Sequence, residues 1–154
     1  MFQELVHRAD LGNGYYKNPI LDGDYADPAV FREGEDYYLT ISTGEYLPGL
    51  SIFHSRDLVN WELLCHPLRK FSGGVWAPDF LKYKNKYYIY FCANGSNWVI
   101  WSDRLEDGWS EAIDLKVGHI DPGHVVDEEG NRYLLLSEIH GVPPPGDGLS
   151  VTGE

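Results

Sequence analysis

Apolar positions in this chain come in short stretches. Most of them either alternate with polar residues or run continuously and are rich in Tyr, Phe, Ile and Val. Both patterns are those of strands, half-buried in the first case and fully buried in the second. No stretch keeps the 3.6-residue period of an amphipathic helix. The expected strands are 28–32, 36–42, 50–55 and 61–64; then 78–83, 86–93 and 97–101, with a weak one near 111–114; then 122–126 and 131–137. Polar turns such as Glu33-Gly34-Glu35 separate them. Residues 140–148 hold three prolines and three glycines in nine positions, which excludes a strand or helix interior. Leu149-Ser150-Val151-Thr152 reads as the start of another strand.

These strands are organised by a repeat. Asp27-Pro28-Ala29-Val30-Phe31 leads through a turn to Tyr37-Tyr38-Leu39, Pro78-Asp79-Phe80-Leu81 leads to Tyr87-Tyr88-Ile89, and Asp121-Pro122-Gly123-His124-Val125 leads to Tyr133-Leu134-Leu135. The three prolines are 50 and 44 residues apart. A second element, Ser55-Arg56-Asp57-Leu58 ending at Trp61, recurs as Ser102-Asp103-Arg104-Leu105 ending at Trp109. Two elements repeating in the same order at this period predict one sheet per repeat around an axis, an all-β, propeller-like fold. The chain divides into a lead-in (1–25), a first unit (26–66), a second (75–115) and an incomplete third (119–154), together one partial propeller domain of about three blades. Propellers have about four to eight blades. An array this short leaves open blade faces, which offer a surface for self-association.

In such a fold, equivalent points of the units converge on one end of the axis. Asp27 and Asp121 would then face a common pocket, where paired carboxylates push each other's pKa values apart and serve acid/base chemistry. The competing explanation is local hydrogen bonding in an Asp-Pro turn. Trp76 precedes the second inner strand. It fits either a sugar-stacking rim or core packing, and periodicity does not separate the two. Asp79 follows its proline instead of preceding it, so a structural role is expected. His124, inside the third inner strand, is a candidate to reach the axis or a satisfied core histidine.

The formal charge of −12, from 24 acidic and 12 basic residues, argues against nucleic acid as a partner. It is compatible with a neutral sugar, and solubility alone also accounts for it. Cys65 and Cys92 form no disulfide framework, and the histidines lack metal-motif spacing, so no cofactor and no metal are expected. Met1-Phe2-Gln3-Glu4-Leu5 has neither the basic nor the apolar region of a signal peptide. No apolar run approaches the roughly 20 residues that span a bilayer. A cytoplasmic protein without a membrane partner is therefore expected.

The segments Asn18-Pro19-Ile20-Leu21-Asp22-Gly23-Asp24-Tyr25-Ala26-Asp27-Pro28, His54-Ser55-Arg56-Asp57-Leu58-Val59-Asn60-Trp61, Val75-Trp76-Ala77-Pro78-Asp79 and Ile120-Asp121-Pro122-Gly123-His124 resemble glycoside hydrolase family 43. These are β-xylosidases and α-L-arabinofuranosidases built on a five-bladed propeller. The resemblance implies inverting hydrolysis of xylosidic or arabinofuranosidic bonds in plant-cell-wall oligosaccharides. It implies Asp27 as general base, Asp121 as the residue that tunes the acid's pKa and orients substrate, and Trp76 as a wall of the sugar subsite; His124 is the other substrate-binding candidate. The family's general acid is a Glu in a fourth-blade Glu-Gly-Pro-like motif, and neither Glu138 nor Glu154 matches it. The chain is thus expected to hold the base and the modulator without the acid. A non-catalytic propeller fragment that binds carbohydrate or protein is the alternative.

Overall fold

In the computed structural model, residues 9–137, 140–142 and 147–151 are described. They form three antiparallel sheets. The first is β1 (Ala29–Glu33), β2 (Asp36–Thr40), β3 (Ile52–Ser55) and β4 (Glu62–Cys65), in that order. The second is β5 (Trp76–Tyr83), β6 (Lys86–Ala93), β7 (Ser96–Ser102) and β8 (Ile113–Asp114), again in chain order. The third pairs β9 (Gly123–Val126) with β10 (Arg132–Leu136), and β10 with β11 (His140–Val142). No helix occurs among the described residues. Each sheet is a propeller blade whose first strand carries the Pro-marked motif.

The middle strand of the middle blade explains its own composition. β6 is buried along nearly its whole length because blades cover both of its faces. Tyr87, Ile89, Phe91 and Ala93 project into a core shared with Leu50 and Ile52 of the first blade. Tyr88 and Tyr90 project the other way, into a core shared with Leu134 and Leu136 of the third. A strand packed on two faces reads as a continuous apolar run. In the end blades alternation survives: Phe31 packs inward on Phe80, 4.6 Å between ring centroids, while its neighbour Val30 is exposed. Tight turns close the hairpins; Asn94 and Gly95, between β6 and β7, both have positive φ (53° and 73°), as a two-residue turn between twisted strands requires.

Three expectations change. Residues 140–148 were expected to hold no strand, but His140–Val142, ahead of the prolines, pairs antiparallel with β10 as β11. The region 149–152 was expected to open a strand, but residues 147–151 form turns and bends. Leu149 and Val151 instead pack on the core between the second and third blades, and the Tyr90 hydroxyl donates to the Gly148 carbonyl at 2.9 Å. Burial of two apolar side chains and a satisfied phenol outweigh pairing here. The second strand also stops short of its expected end at 42. It leaves the sheet after Thr40, and this releases Ser42 toward the start of the next blade. Glu138 and Glu154 lie outside the described residues, as does Thr152.

Candidate active site

The residue before the motif proline has a left-handed backbone in all three units: Asp27 (φ 50°), Ala77 (φ 42°) and Asp121 (φ 58°). This is unusual for a non-glycine residue, and a residue before proline ordinarily prefers an extended backbone. Each such position costs on the order of 1–3 kcal/mol and persists only where its surroundings enforce it. The structural equivalent of Asp27 and Asp121 in the second unit is therefore Ala77. Asp79 lies two positions further on.

Asp27 is held by the first blade's own return loop. The Ser42 hydroxyl donates to Asp27 Oδ2 at 2.5 Å, and the Ala77 N–H donates to Ser42 Oγ at 2.7 Å. The Ser42 N–H donates to the Ala26 carbonyl at 2.9 Å. One buried serine thus fixes the carboxylate of the first blade against the backbone that opens the second. Nothing in the local pattern around Ser42 signals this role, because its partners are 15 and 35 residues away.

Asp121 is placed by the irregular segment 117–121 that leads into the third blade. The fully buried Asn97 side chain donates through Nδ2 to the carbonyls of Val117, Gly118 and His119 at 3.1, 2.7 and 3.1 Å. The Ser137 N–H donates to the Ile120 carbonyl at 3.0 Å.

Cys92 is a buried thiol beside Trp76. Cys92 pairs with Trp76 across β5 and β6, and its Sγ–H donates to the Trp76 carbonyl at 3.3 Å. Burial pushes the thiol above its ordinary value. Hydrogen bonding from the Asp121 backbone opposes that rise, while the negative charges of Asp121 and of Asp27 add to it. Trp76 itself is 58% exposed and lines a cavity of about 390 Å³ at this end of the blades.

Asp79 and His124 lie elsewhere. Asp79 Oδ2 accepts the His124 N–H at 2.6 Å, a bridge between the second and third blades, and burial raises its carboxyl above the usual range. The His124 imidazole, expected at the axial pocket as a substrate contact, does not line the Trp76 cavity. Strand alternation turns it toward the second blade, where it stacks on Tyr90 (centroids 5.8 Å apart, planes 8° apart). Its Nε2 accepts from Arg132 Nε at 2.8 Å. Burial first, and the Arg132 charge second, lower its pKa to about 4, so the ring is neutral at ordinary pH.

The sequence profile of Glycosyl hydrolases family 43 matches residues 16–150. The chain belongs to that family. It is 36% identical over 137 residues to a Beta-xylosidase of Bacillus subtilis, covering 77% of this chain and 26% of that protein. It is 30% identical over 147 residues to a Non-reducing end alpha-L-arabinofuranosidase of Bacteroides ovatus, covering 85% of this chain and 28% of that protein. Among solved structures, the GH43 protein BlXynB of Bacillus licheniformis (K247S mutant) superposes with a TM-score of 0.83 at 34% identity, over 90% of this chain and 32% of that one. The family 43 chain described here thus spans about a quarter of the length of these curated relatives. Its three blades are part of the family's five-bladed propeller.

Proposed function

We propose that this chain carries the base side of an inverting glycosidase acting on xylosidic or arabinofuranosidic bonds in plant-cell-wall oligosaccharides. The observation that carries the reading is the equivalent left-handed placement of Asp27 and Asp121 before the motif prolines of two blades, with Ser42 joining the Asp27 carboxylate to the Ala77 N–H beside the exposed Trp76. The two relatives described above, a β-xylosidase and an arabinofuranosidase, support the substrate class.

In this reading Asp27 is the general base. Ser42 occupies Oδ2, so Oδ1 takes the proton from the attacking water as that water's oxygen bonds to the anomeric carbon. The bond to the leaving oxygen breaks on the opposite face, and that oxygen takes a proton from a general acid. Inversion requires base and acid carboxyls about 6.5–9.5 Å apart, with the water between base and sugar. Asp121 orients the sugar and tunes that acid, and Trp76 stacks on the apolar face of the ring. The acid is assigned to a glutamate outside these 154 residues.

Substrates that differ in their need for that proton test the reading. A 2,4-dinitrophenyl β-xyloside leaves without protonation; an alkyl xyloside does not. The chain should turn over the first, and Asp27→Asn should abolish that turnover. The alkyl xyloside should be hydrolysed at least about 10²–10⁴ more slowly by this chain than by a relative that supplies the acid, the usual worth of general acid catalysis. Sugar binding with no Asp27-dependent turnover of either substrate would favour a non-catalytic sugar-binding module, the reading supported by Trp76's exposure alone.

A further inference from the structure

A second cavity lies at the opposite end of the middle blade from Trp76. β5 is eight residues long, from Trp76 to Tyr83. At about 3.3 Å per residue its two ends are roughly 20 Å apart. The cavity, of about 290 Å³, is walled by Tyr83, Lys84, Asn85 and Lys86 of the β5–β6 hairpin, by Trp101 of β7, and by Asp147 of the segment that packs between the second and third blades. Ligand pockets run from about 300 to 1,000 Å³, so this one has room for a single ring.

The same corner of the first blade is built differently. By strand register, Glu33 and Asp36 flank the β1–β2 turn as Tyr83 and Lys86 flank the β5–β6 turn. His54 faces Tyr38 as Trp101 faces Tyr88. In the first blade these polar groups are taken by protein partners: Glu33 pairs with Lys82, and Asp36 pairs with His54 and Arg56. In the second blade two aromatic rings and a lysine stand in their place, around a cavity. The turns differ as well. Gly34 (φ 62°) and Lys84 (φ 55°) hold the same left-handed position, which is ordinary for glycine and strained for lysine. The strained residue sets a cation at the mouth of the cavity.

The rings position the lysines. Lys86 Nζ lies 3.5 Å from the Trp101 centroid and 3.3 Å from Asp103 Oδ1, and Lys84 Nζ lies 5.1 Å from the Tyr83 centroid. The Arg132 guanidinium lies over the Tyr83 and Tyr88 rings at 4.3 and 4.9 Å. Among the described residues no carboxylate pairs with Lys84. Residues 81–88 carry three lysines and no acid, in a chain of charge −12. Such a local positive field, together with the positive edges of the aromatic rings, selects an anion. Asn85 and Asp147, whose Oδ1 accepts the Leu149 N–H at 3.0 Å, stand on the same rim and offer oxygen acceptors to hydroxyl groups. We propose that this cavity binds a one-ring organic acid that also carries hydroxyls, with its carboxylate on Lys84 and Lys86 and its ring against Tyr83 and Trp101. A uronic acid and a hydroxylated aromatic acid share this chemistry. The site is independent of the reading of Asp27 and Asp121.

NMR titration of the isotope-labelled 154-residue chain with glucuronate, 4-hydroxybenzoate and glucose tests it. At least one of the two acids should bind about ten-fold more tightly than glucose, the worth of one charge-assisted hydrogen bond. It should shift the amides of residues 83–86 and the Trp101 indole while leaving the Trp76 indole in place. Preference for glucuronate would identify the occupant as a sugar acid, and preference for 4-hydroxybenzoate as an aromatic acid. Lys84→Gly installs the residue that the first blade uses at this turn, so it should keep or raise Tm while weakening acid binding by about ten-fold. Lys86→Met, which keeps an unbranched stem beside Trp101 without the charge, should weaken acid binding similarly. Glucose binding as tightly as both acids, acid binding insensitive to both substitutions, shifts confined to the Trp76 end, or no binding of either acid at millimolar concentration would each overturn the proposal.

Discussion

The Ser42 hydroxyl donates to Asp27 Oδ2 at 2.5 Å while accepting the Ala77 N–H at 2.7 Å. One side chain thereby sets the orientation of the proposed base and the entry of the second blade. Two substitutions separate these duties. Ser42→Ala leaves the Ala77 N–H without its acceptor and should cost about 1–3 kcal/mol in urea unfolding. Asp27→Asn keeps an oxygen for the Ser42 hydroxyl and should change stability by less than about 1 kcal/mol while removing the base. Equal destabilisation by the two would show that the carboxylate, and not the serine, ties the blades together.

Asn97 is the corresponding device at Asp121. Its Nδ2 faces three carbonyl oxygens, so replacing the amide with a carboxylate points negative charge at three acceptors. Asn97→Asp should destabilise by at least about 3 kcal/mol, beyond the loss of one hydrogen bond, because the buried charge has no donor in reach. Chemical denaturation at pH 7 measures this; a cost below about 1 kcal/mol would mean that the loop is held by other contacts.

The two glycines before Trp76 should respond differently to alanine. Gly73 has φ +118°, and an added Cβ would overlap the Asn94 side chain at 2.1 Å, so backbone strain and a lost Asn94–Ser72 hydrogen bond combine. Gly73→Ala should cost roughly 2–4 kcal/mol. Gly74→Ala meets only the edge of an exposed indole at 3.0 Å. It should cost less than about 1 kcal/mol and alter Trp76 fluorescence, read as the difference spectrum against Trp76→Phe.

His124 makes stability depend on pH. Its pKa falls from an ordinary 6.5 to about 4 in the folded chain, through burial and then Arg132. Between those two values the unfolded chain binds the extra proton, so this contribution is whole above about pH 6.5 and is lost as the pH falls toward 4. The difference amounts to roughly 3 kcal/mol. Asp79, whose carboxyl is raised by burial, works in the opposite sense and softens the acid end. His124→Gln keeps an acceptor for Arg132 but cannot titrate. Its Tm should fall less than that of the unsubstituted chain between pH 7 and 4.5, by about 5–10 °C. Parallel Tm profiles would rule out His124 as the group responsible.

Much of the architecture could be read from periodicity. The repeat marked by Pro28, Pro78 and Pro122 indicated three sheets, and the unbroken run Tyr87-Tyr88-Ile89-Tyr90-Phe91-Cys92 indicated a strand covered on both faces. These features are written in short-range pattern, because strand alternation and turn chemistry act within a few residues. The repeat likewise singled out Asp27 and Asp121.

Tertiary structure alone decided how those aspartates are held. Ser42 leaves its strand and finds partners in two different units, and Asn97 reaches forward to a loop 20 to 22 residues away. The same holds for His124, whose ring follows the pleat of β9 into the blade interface instead of the axis, and for Asp79, which meets the His124 backbone from 45 residues away. Positions along a strand determine which face a side chain takes only once the neighbouring blade is in place. The partner that satisfies a buried polar group is chosen by packing across blades, where no local pattern reaches.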